Sequence, residues 1–191
     1  MTRDPAGVVI IANPQAAGGR IGSWLDRTGQ DLLARELPGS RLLRTTAPRE
    51  ATRLTAEALT GGARTVVSLG GDGTNHEVLD GFFRGQNPIA PDSALSILDA
   101  GTGGDFARFI GAPRFDRWNP AALLNATPRR IDVGHLTYRN HQGSEAEMVF
   151  LNITSFGAGG EVVERVNRSS KRLGGFLTFF LASARTTLTY R

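Results

Sequence analysis

An open, mostly parallel α/β sheet followed by the start of a second, β-rich domain is the fold class this sequence predicts, and three observations predict it. Short β-branched runs, residues 8–12 (VVIIA) and 66–69 (VVSL), are bounded by turn residues, as strands buried on both faces of a parallel sheet are. Segments with apolar residues at helical spacing lie between them, which gives a βαβα order. Near Arg129 that order stops, and residues 131–137 and 148–154, separated by a polar turn at 140–144, read as antiparallel strands. The expected division is therefore residues 1–128 as the α/β domain and 129–191 as an incomplete β-rich one.

Taken in chain order, the first strand runs into the glycine-rich stretch 13–19. Trp24, Leu25, Leu32, Leu33 and Leu37 then repeat at roughly helical spacing up to a Pro38-Gly39 stop. Leu42 and Leu43 suggest a short second strand. Ala51, Leu54, Ala58 and Leu59 form a helical stripe that ends at Gly61-Gly62, and the strand at 66–69 follows. After Gly70-Gly71-Asp72-Gly73-Thr74, the apolar residues Val78, Leu79, Phe82 and Phe83 predict a helix ending near Gly85. A fourth strand at 95–98 leads into residues 100–104 (AGTGG) and a short helix bearing Phe106, Phe109 and Ile110. Beyond the antiparallel pair, the turn at 157–160 opens a helix to about Arg172. The apolar stretch 173–184, too short to span a bilayer, reads as a further packed helix.

Composition narrows the chemistry. At 191 residues, with 40% hydrophobic and 21% charged residues, the chain suits one buried domain and part of another. Cysteine is absent, which excludes disulfides, thiolate nucleophiles and thiolate zinc sites and suits a cytoplasmic protein. Residues 1–7 hold no apolar core, so no signal peptide is expected. The net charge of +4 comes almost wholly from scattered arginines, Lys171 being the only lysine, so phosphate-bearing ligands or anionic lipid suit it better than nucleic acid. His76, His135 and His141 share no zinc-ligand spacing, no GxSxG elbow occurs, and no GxxxxGK[ST] loop exists. Trp24 and Trp118 read as core residues.

The strongest chemical signal is LGGDGTNHEV, residues 69–78. Backbone N–H groups approach a polyphosphate closely only where side chains are absent, and a helix N-terminus adds favourable partial charge, so Gly70, Gly71 and Gly73 can hold phosphate. Thr74 and Glu77 have the spacing of a capping box, so for Glu77 a structural and a ligand-facing role stand level. Asp72 differs. A carboxylate within a phosphate loop repels the ligand unless it holds a divalent cation or orients a hydroxyl, so a catalytic or Mg²⁺ role is expected. Asn13-Pro14 with Gly18, Gly19 and Arg20, the segment from Thr45 to Pro48, and the loop holding Thr102, Gly103 and Asp105 also fall at strand ends or helix starts. Four such loops at one sheet edge point to a bound ligand more than to turns alone.

In that order, Asn13-Pro14, Thr45, GGDGTNHEV, GTGGDFAR (residues 101–108), Ile131-Asp132-Val133-Gly134, and Asn152 with Phe156-Gly157 resemble the successive motifs of the bacterial diacylglycerol kinase and lipid kinase family. The GGDGT segment is shared with NAD kinases and phosphofructokinases, and the DFA segment narrows the resemblance to lipid kinases. It implies that Thr45, Gly70, Gly71, Asp72, Gly73, Thr74, Asn75, His76 and Thr102 contact ATP, with Asp72 essential for phosphoryl transfer. Two departures stand out. Gly104 occupies a position that is usually Asn in the family, and no Asp-Gly-Glu tripeptide, which supplies a general base and a metal ligand there, follows Arg129. The resemblance thus implies a chain ending before the second domain does.

The expected function is an ATP-dependent lipid kinase using ATP and Mg²⁺, with a lipid substrate such as diacylglycerol met at the membrane surface, no nucleic acid partner, and a homodimer as one compatible assembly. No metal-ligand set is assigned. A cytoplasmic location, peripheral to the inner face of the membrane, goes with that role in phospholipid biosynthesis. The alternatives are an NAD kinase-like phosphotransferase and a non-catalytic nucleotide-binding remnant.

Overall fold

The computed structural model describes residues 4–101, 104–140 and 142–154, and the isolated positions 159, 160, 162, 166 and 185. The expected helices after Gly157, including the apolar stretch at 173–184, lie essentially outside the described residues, as do Phe156 and Gly157 themselves. Two compact units are present, Met1–Asn152 and Ile153–Arg191.

The first unit contains strands β1 (Val8–Ala12), β2 (Arg41–Arg44), β3 (Thr65–Gly70), β4 (Phe83–Arg84), β5 (Asn87–Pro88), β6 (Ala94–Asp99), β7 (Gly134–Arg139) and β8 (Glu145–Phe150). Four of them form one sheet in the order β2-β1-β3-β6, all parallel. This is the predicted mixed α/β architecture. All five residues of β1 are buried, and their side chains alternate between two core clusters. Val8, Ile10 and Ala12 pack with Ile21, Leu25 and Leu33, whereas Val9 and Ile11 pack with Ala51, Leu59 and Val78. Burial on both faces is why the run is continuously apolar instead of alternating. Each fully buried Val or Ile contributes about 1.5–3 kcal/mol, so the central strands hold the unit together.

Among the described residues, five α-helices accompany the sheet: α1 (Arg20–Trp24), α2 (Gln30–Glu36), α3 (Glu50–Thr60), α4 (Asp72–Asp80) and α5 (Asp105–Ile110). The single helix expected around Trp24–Leu37 is interrupted between α1 and α2 by one π-helical turn, Leu25–Gly29. Trp24 accounts for its composition, since a Cβ on Gly29 would lie 2.6 Å from the indole ring. Arg44 on β2 fastens this turn, donating to Asp26 at 2.5 Å and to Gln30 at 3.3 Å. Trp24 packs edge-on against Phe115 with ring centroids 5.9 Å apart, and Trp118 also lies against the core.

Helix α4 stops earlier than its apolar pattern suggests. Gly81 caps it because α3 crosses at that point: a Cβ there would lie 2.5 Å from Cβ of Thr55 and closer still to the Thr52 carbonyl. Phe83, expected on the helix, instead begins a small antiparallel pair with β5, turning through Gly85 at φ +58. The antiparallel β7 and β8 form the β-rich start that the sequence predicts, with register shifted inward to Gly134↔Phe150 through Arg139↔Glu145. Asn152 has φ +71, a left-handed conformation that ends the second strand before the predicted residue 154. Asn140 shapes the connection by accepting from the N–H groups of Gln142 and Ser144. The hairpin is pinned to α4 where the Val149 N–H donates to Asp80 at 3.3 Å.

Candidate functional site

The strand order creates a switch point. From β1 the chain crosses to β2 on one side, and from β2 it returns to β3 on the other, so the segments leaving β1 and β3 part at their carboxyl ends and open a crevice there. Backbone bonds fix the rim, with Asn13 N–H donating to the Leu69 carbonyl at 3.0 Å and Thr45 N–H to the Ala12 carbonyl at 2.9 Å. Into this crevice opens a cleft of about 470 Å³. Asn13, Pro14 and Gln15 line it from the loop after β1, Thr45 to Pro48 from the loop after β2, Ala51 from α3, and Thr74 and Glu77 from α4.

Several lining groups are held by identifiable bonds. Asn13 accepts the Gln15 N–H at 3.0 Å through Oδ1 and donates through Nδ2 to the Thr74 hydroxyl at 3.2 Å, tying the first loop to α4. Thr74 does not cap its helix, since α4 begins two residues before it. Gly71 is the N-cap and makes no side-chain cap bond, so the capping box expected of Thr74 and Glu77 is not formed, and Glu77 faces the cleft.

The second loop is held by a residue the site reading missed. Glu50 Oε2 accepts from Thr46 N–H at 2.6 Å, Thr46 Oγ1 at 2.9 Å and Ala47 N–H at 3.3 Å. Those donors, led by the Thr46 backbone bond and followed by its hydroxyl, hold the Glu50 carboxyl below the usual carboxylate range, while Arg53 adds to the effect at 3.0 Å. The preceding Arg49 adopts φ +65, an uncommon conformation for a side-chain-bearing residue, and the Glu50 clasp keeps the chain in it. A sequence signal was present in a carboxylate just after the Pro48 turn, but nothing in the spacing showed that it would fold back.

A depressed folded pKa gives a definite sign. Stability from Glu50 is present above its unfolded pKa and is lost as pH falls through the lower folded value. Glu50→Gln is thus expected to melt below the wild type near about pH 7, and the difference should shrink as acid protonates the wild-type carboxyl. Melting curves over a pH series check this; a constant offset at every pH would count against the clasp.

The glycine loops lie just outside the cleft. Gly70 touches Thr74, Gly71 and Gly101 approach so closely that a Cβ on Gly71 would be 3.2 Å from the Gly101 Cα, and Gly73 faces open space. Asp72 is exposed on the first turn of α4, and its Oδ2 accepts the Gly104 N–H at 3.0 Å. His76 is half-buried on the same helix. Asn75 points inward instead: it is 4% exposed and accepts from Ser68 Oγ on β3 at 2.7 Å, leaving its amide nitrogen without a partner among the described residues. Gly18 and Gly19 take φ values of +67 and +86, which only glycine adopts freely, so they serve the turn into α1. Arg20 stacks on the Phe115 ring, 5.6 Å from its centroid. Asp105 begins α5 and pairs with Arg108. Thr102 and Gly103 lie outside the described residues. The structure thus gathers Asn13, Pro14, Thr45, Thr74 and Glu77 at one cleft, sets Gly71, Asp72 and Gly73 beside it, and leaves Arg20, Asn75 and Asp105 turned to other contacts.

Comparison with known proteins settles the family. Residues 7–136 match the model of the diacylglycerol kinase catalytic domain. The chain belongs to that family. Among the relatives of this diacylglycerol kinase-family chain is the "Probable lipid kinase YegS-like" protein of Pseudomonas aeruginosa, 34% identical over 132 residues, which cover 69% of this chain and 39% of the relative. The "Diacylglycerol kinase" of Bacillus subtilis is 32% identical over 138 residues, covering 72% and 41%. A crystal structure of a diacylglycerol kinase from Bacillus anthracis superposes with a TM-score of 0.54 at 26% identity, covering 72% of this chain and 44% of that one. The family chain described here therefore spans about 40% of the length of the curated relatives it matches.

Proposed function

We propose that this chain carries the nucleotide-binding site of an ATP-dependent lipid kinase that transfers the γ-phosphoryl group of ATP to a lipid hydroxyl such as that of diacylglycerol. The observation that carries the reading is the cleft at the switch point, where the loops after β1 and β2 converge beside a glycine-flanked helix N-terminus. Its described lining holds one carboxylate, Glu77, and no basic side chain, so it suits a nucleoside better than a triphosphate. Glu77, Asn13 and Thr45 can accept from or donate to ribose hydroxyls and the base. The triphosphate then runs toward the amides of the first turn of α4, where Gly73 leaves open space.

Mg²⁺ fits this arrangement as an ion carried with the nucleotide. Among the described residues no group of three His, Cys, Asp or Glu side chains could hold a metal alone, and Mg²⁺ in such sites is commonly held by one or two carboxylates together with substrate phosphates. Asp72 can serve as that carboxylate, and the ion when bound would neutralise charge on the phosphates. Asp72 can alternatively orient the acceptor hydroxyl. The acceptor meets the site at a membrane surface; among the described residues no helix is long and apolar enough to cross a membrane. We propose a cytoplasmic protein, with residues 129–191 beginning the second domain and a homodimer as one compatible assembly.

Mg-ATP at about 100 times its Kd is expected to stabilise the folded chain by about 2.7 kcal/mol, raising the melting temperature by about 5–10 °C. Labelled ATP offered with a lipid panel and with NAD in parallel tests the transfer. Absence of both thermal shift and calorimetric heat would sink the nucleotide reading, and label on NAD alone would redirect it.

A further inference from the structure

Asp99 ends β6 with its side chain among the loops that follow the sheet. It is 6% exposed, and burying a carboxylate is costly unless it is partnered. Its Oδ1 accepts the Gly101 N–H at 2.9 Å, and its Oδ2 lies 3.5 Å from the guanidinium of Arg114. Both oxygens are thereby anchored, and the backbone adds a third constraint where Asp99 N–H donates to the Pro113 carbonyl at 3.0 Å. The carboxylate is consequently a fixed wall of the loop.

Gly104 lies against that wall. It adopts φ +63 and ψ +31, and a Cβ on it would sit 2.9 Å from Asp99 Oδ2 and 3.1 Å from Oδ1. Asparagine tolerates left-handed backbone better than most residues, so conformation alone does not demand glycine at 104. The Asp99 carboxylate does. On its other side the same glycine donates its N–H to Asp72 at 3.0 Å. One carboxylate therefore limits where the Gly104 amide can lie, and that amide holds the other.

We propose that Asp99 is a positioning residue: anchored by Gly101 and Arg114, it fixes Gly104 so that the Gly104 amide orients the Asp72 carboxylate beside the nucleotide. The functional half rests on the nucleotide reading above, whereas the structural half stands without it. No other described contact to Asp72 from this loop would do the same work if Gly104 shifted.

The test measures amide hydrogen exchange at Gly104 by NMR, together with calorimetric binding of the non-hydrolysable analogue AMP-PNP with Mg²⁺, on the full 191-residue chain. Asp99→Ala is expected to lower Gly104 protection at least about tenfold and to weaken the analogue at least about fivefold, with the melting transition still cooperative. Asp99→Asn, which keeps the shape and the acceptor for Gly101, is expected to hold protection within about threefold. Gly104→Ala reads the contact from the other side and should lose protection as Asp99→Ala does, which keeps the proposal testable should that variant fail to fold. Wild-type protection in either alanine variant would overturn it, as would full loss in Asp99→Asn. If wild-type protein fails to bind the analogue, the nucleotide reading falls, and the exchange results still decide the role of Asp99.

Discussion

For the proposed lipid kinase, Asp72→Asn in a complete version of the enzyme is expected to lower phosphoryl transfer by on the order of 10²- to 10⁴-fold while leaving the fold intact. The carboxylate stands exposed at the first turn of α4, with one oxygen bound to the Gly104 amide. Asparagine keeps an oxygen for that amide, so the loop contact survives. What disappears is the negative charge, and with it the capacity to hold a divalent cation or to draw a proton from an acceptor hydroxyl. Loss of a favourable charge at a helix N-terminus costs only about 0.3–1 kcal/mol, so melting should change little. Steady-state rates with varied ATP, measured beside a thermal melt, separate the two effects. Turnover within about threefold of wild type would remove Asp72 from the chemistry.

Gly70→Ala should damage both stability and binding, through a single clash. Gly70 closes β3, is paired with Asp99 in the ladder, and accepts the Ala100 N–H at 2.8 Å, so its backbone cannot yield easily. A Cβ there would lie 2.5 Å from the Cβ of Thr74 and closer to its hydroxyl. Thr74 is itself buried and bonded to Asn13, so relief requires α4 to lift from the sheet. Overpacking of this kind costs about 1–3 kcal/mol, and the upper end is expected because both partners are constrained. For a chain of this size that is a fall in melting temperature of roughly 5–10 °C. The displacement also parts Thr74 from Asn13 across the cleft, so Mg-ATP should stabilise the variant far less than the wild type. Trimming Thr74 to alanine would rescue only in part, since its Cβ already clashes. A variant that unfolds at the same urea concentration as wild type would show that the loop is looser than this packing implies.

The parallel sheet was legible because its signal is local and strong. A run such as residues 8–12 has no polar position to spare, and only a strand covered on both faces accommodates that. The loops announced themselves in the same way, through Gly70, Gly71, Gly73 and the acidic Asp72 among them, and through motifs whose order matched a family. Boundaries were less legible. Helix α4 ends at Gly81 because α3 crosses there, and the hairpin register is set by Gly134, where a Cβ would strike the Phe150 ring. Neither contact has a counterpart in the spacing of nearby residues.

Side-chain direction was decided by tertiary structure alone. Asn75 and Glu77 are two positions apart on one helix, so one turns into the sheet toward Ser68 while the other faces the cleft. The apparent capping box dissolved because α4 begins at Asp72, which puts Thr74 inside the first turn, where its hydroxyl instead takes a bond from Asn13 across the switch point. Glu50 and Asp99 went unnoticed because a carboxylate reads as surface until the fold supplies donors that make its burial or its bend worthwhile. What the sequence by itself determined was the layer architecture, since it follows from local pattern. Which side chains meet at the cleft depended on long-range packing, where residues far apart in the chain compete for the same few donors and the same space.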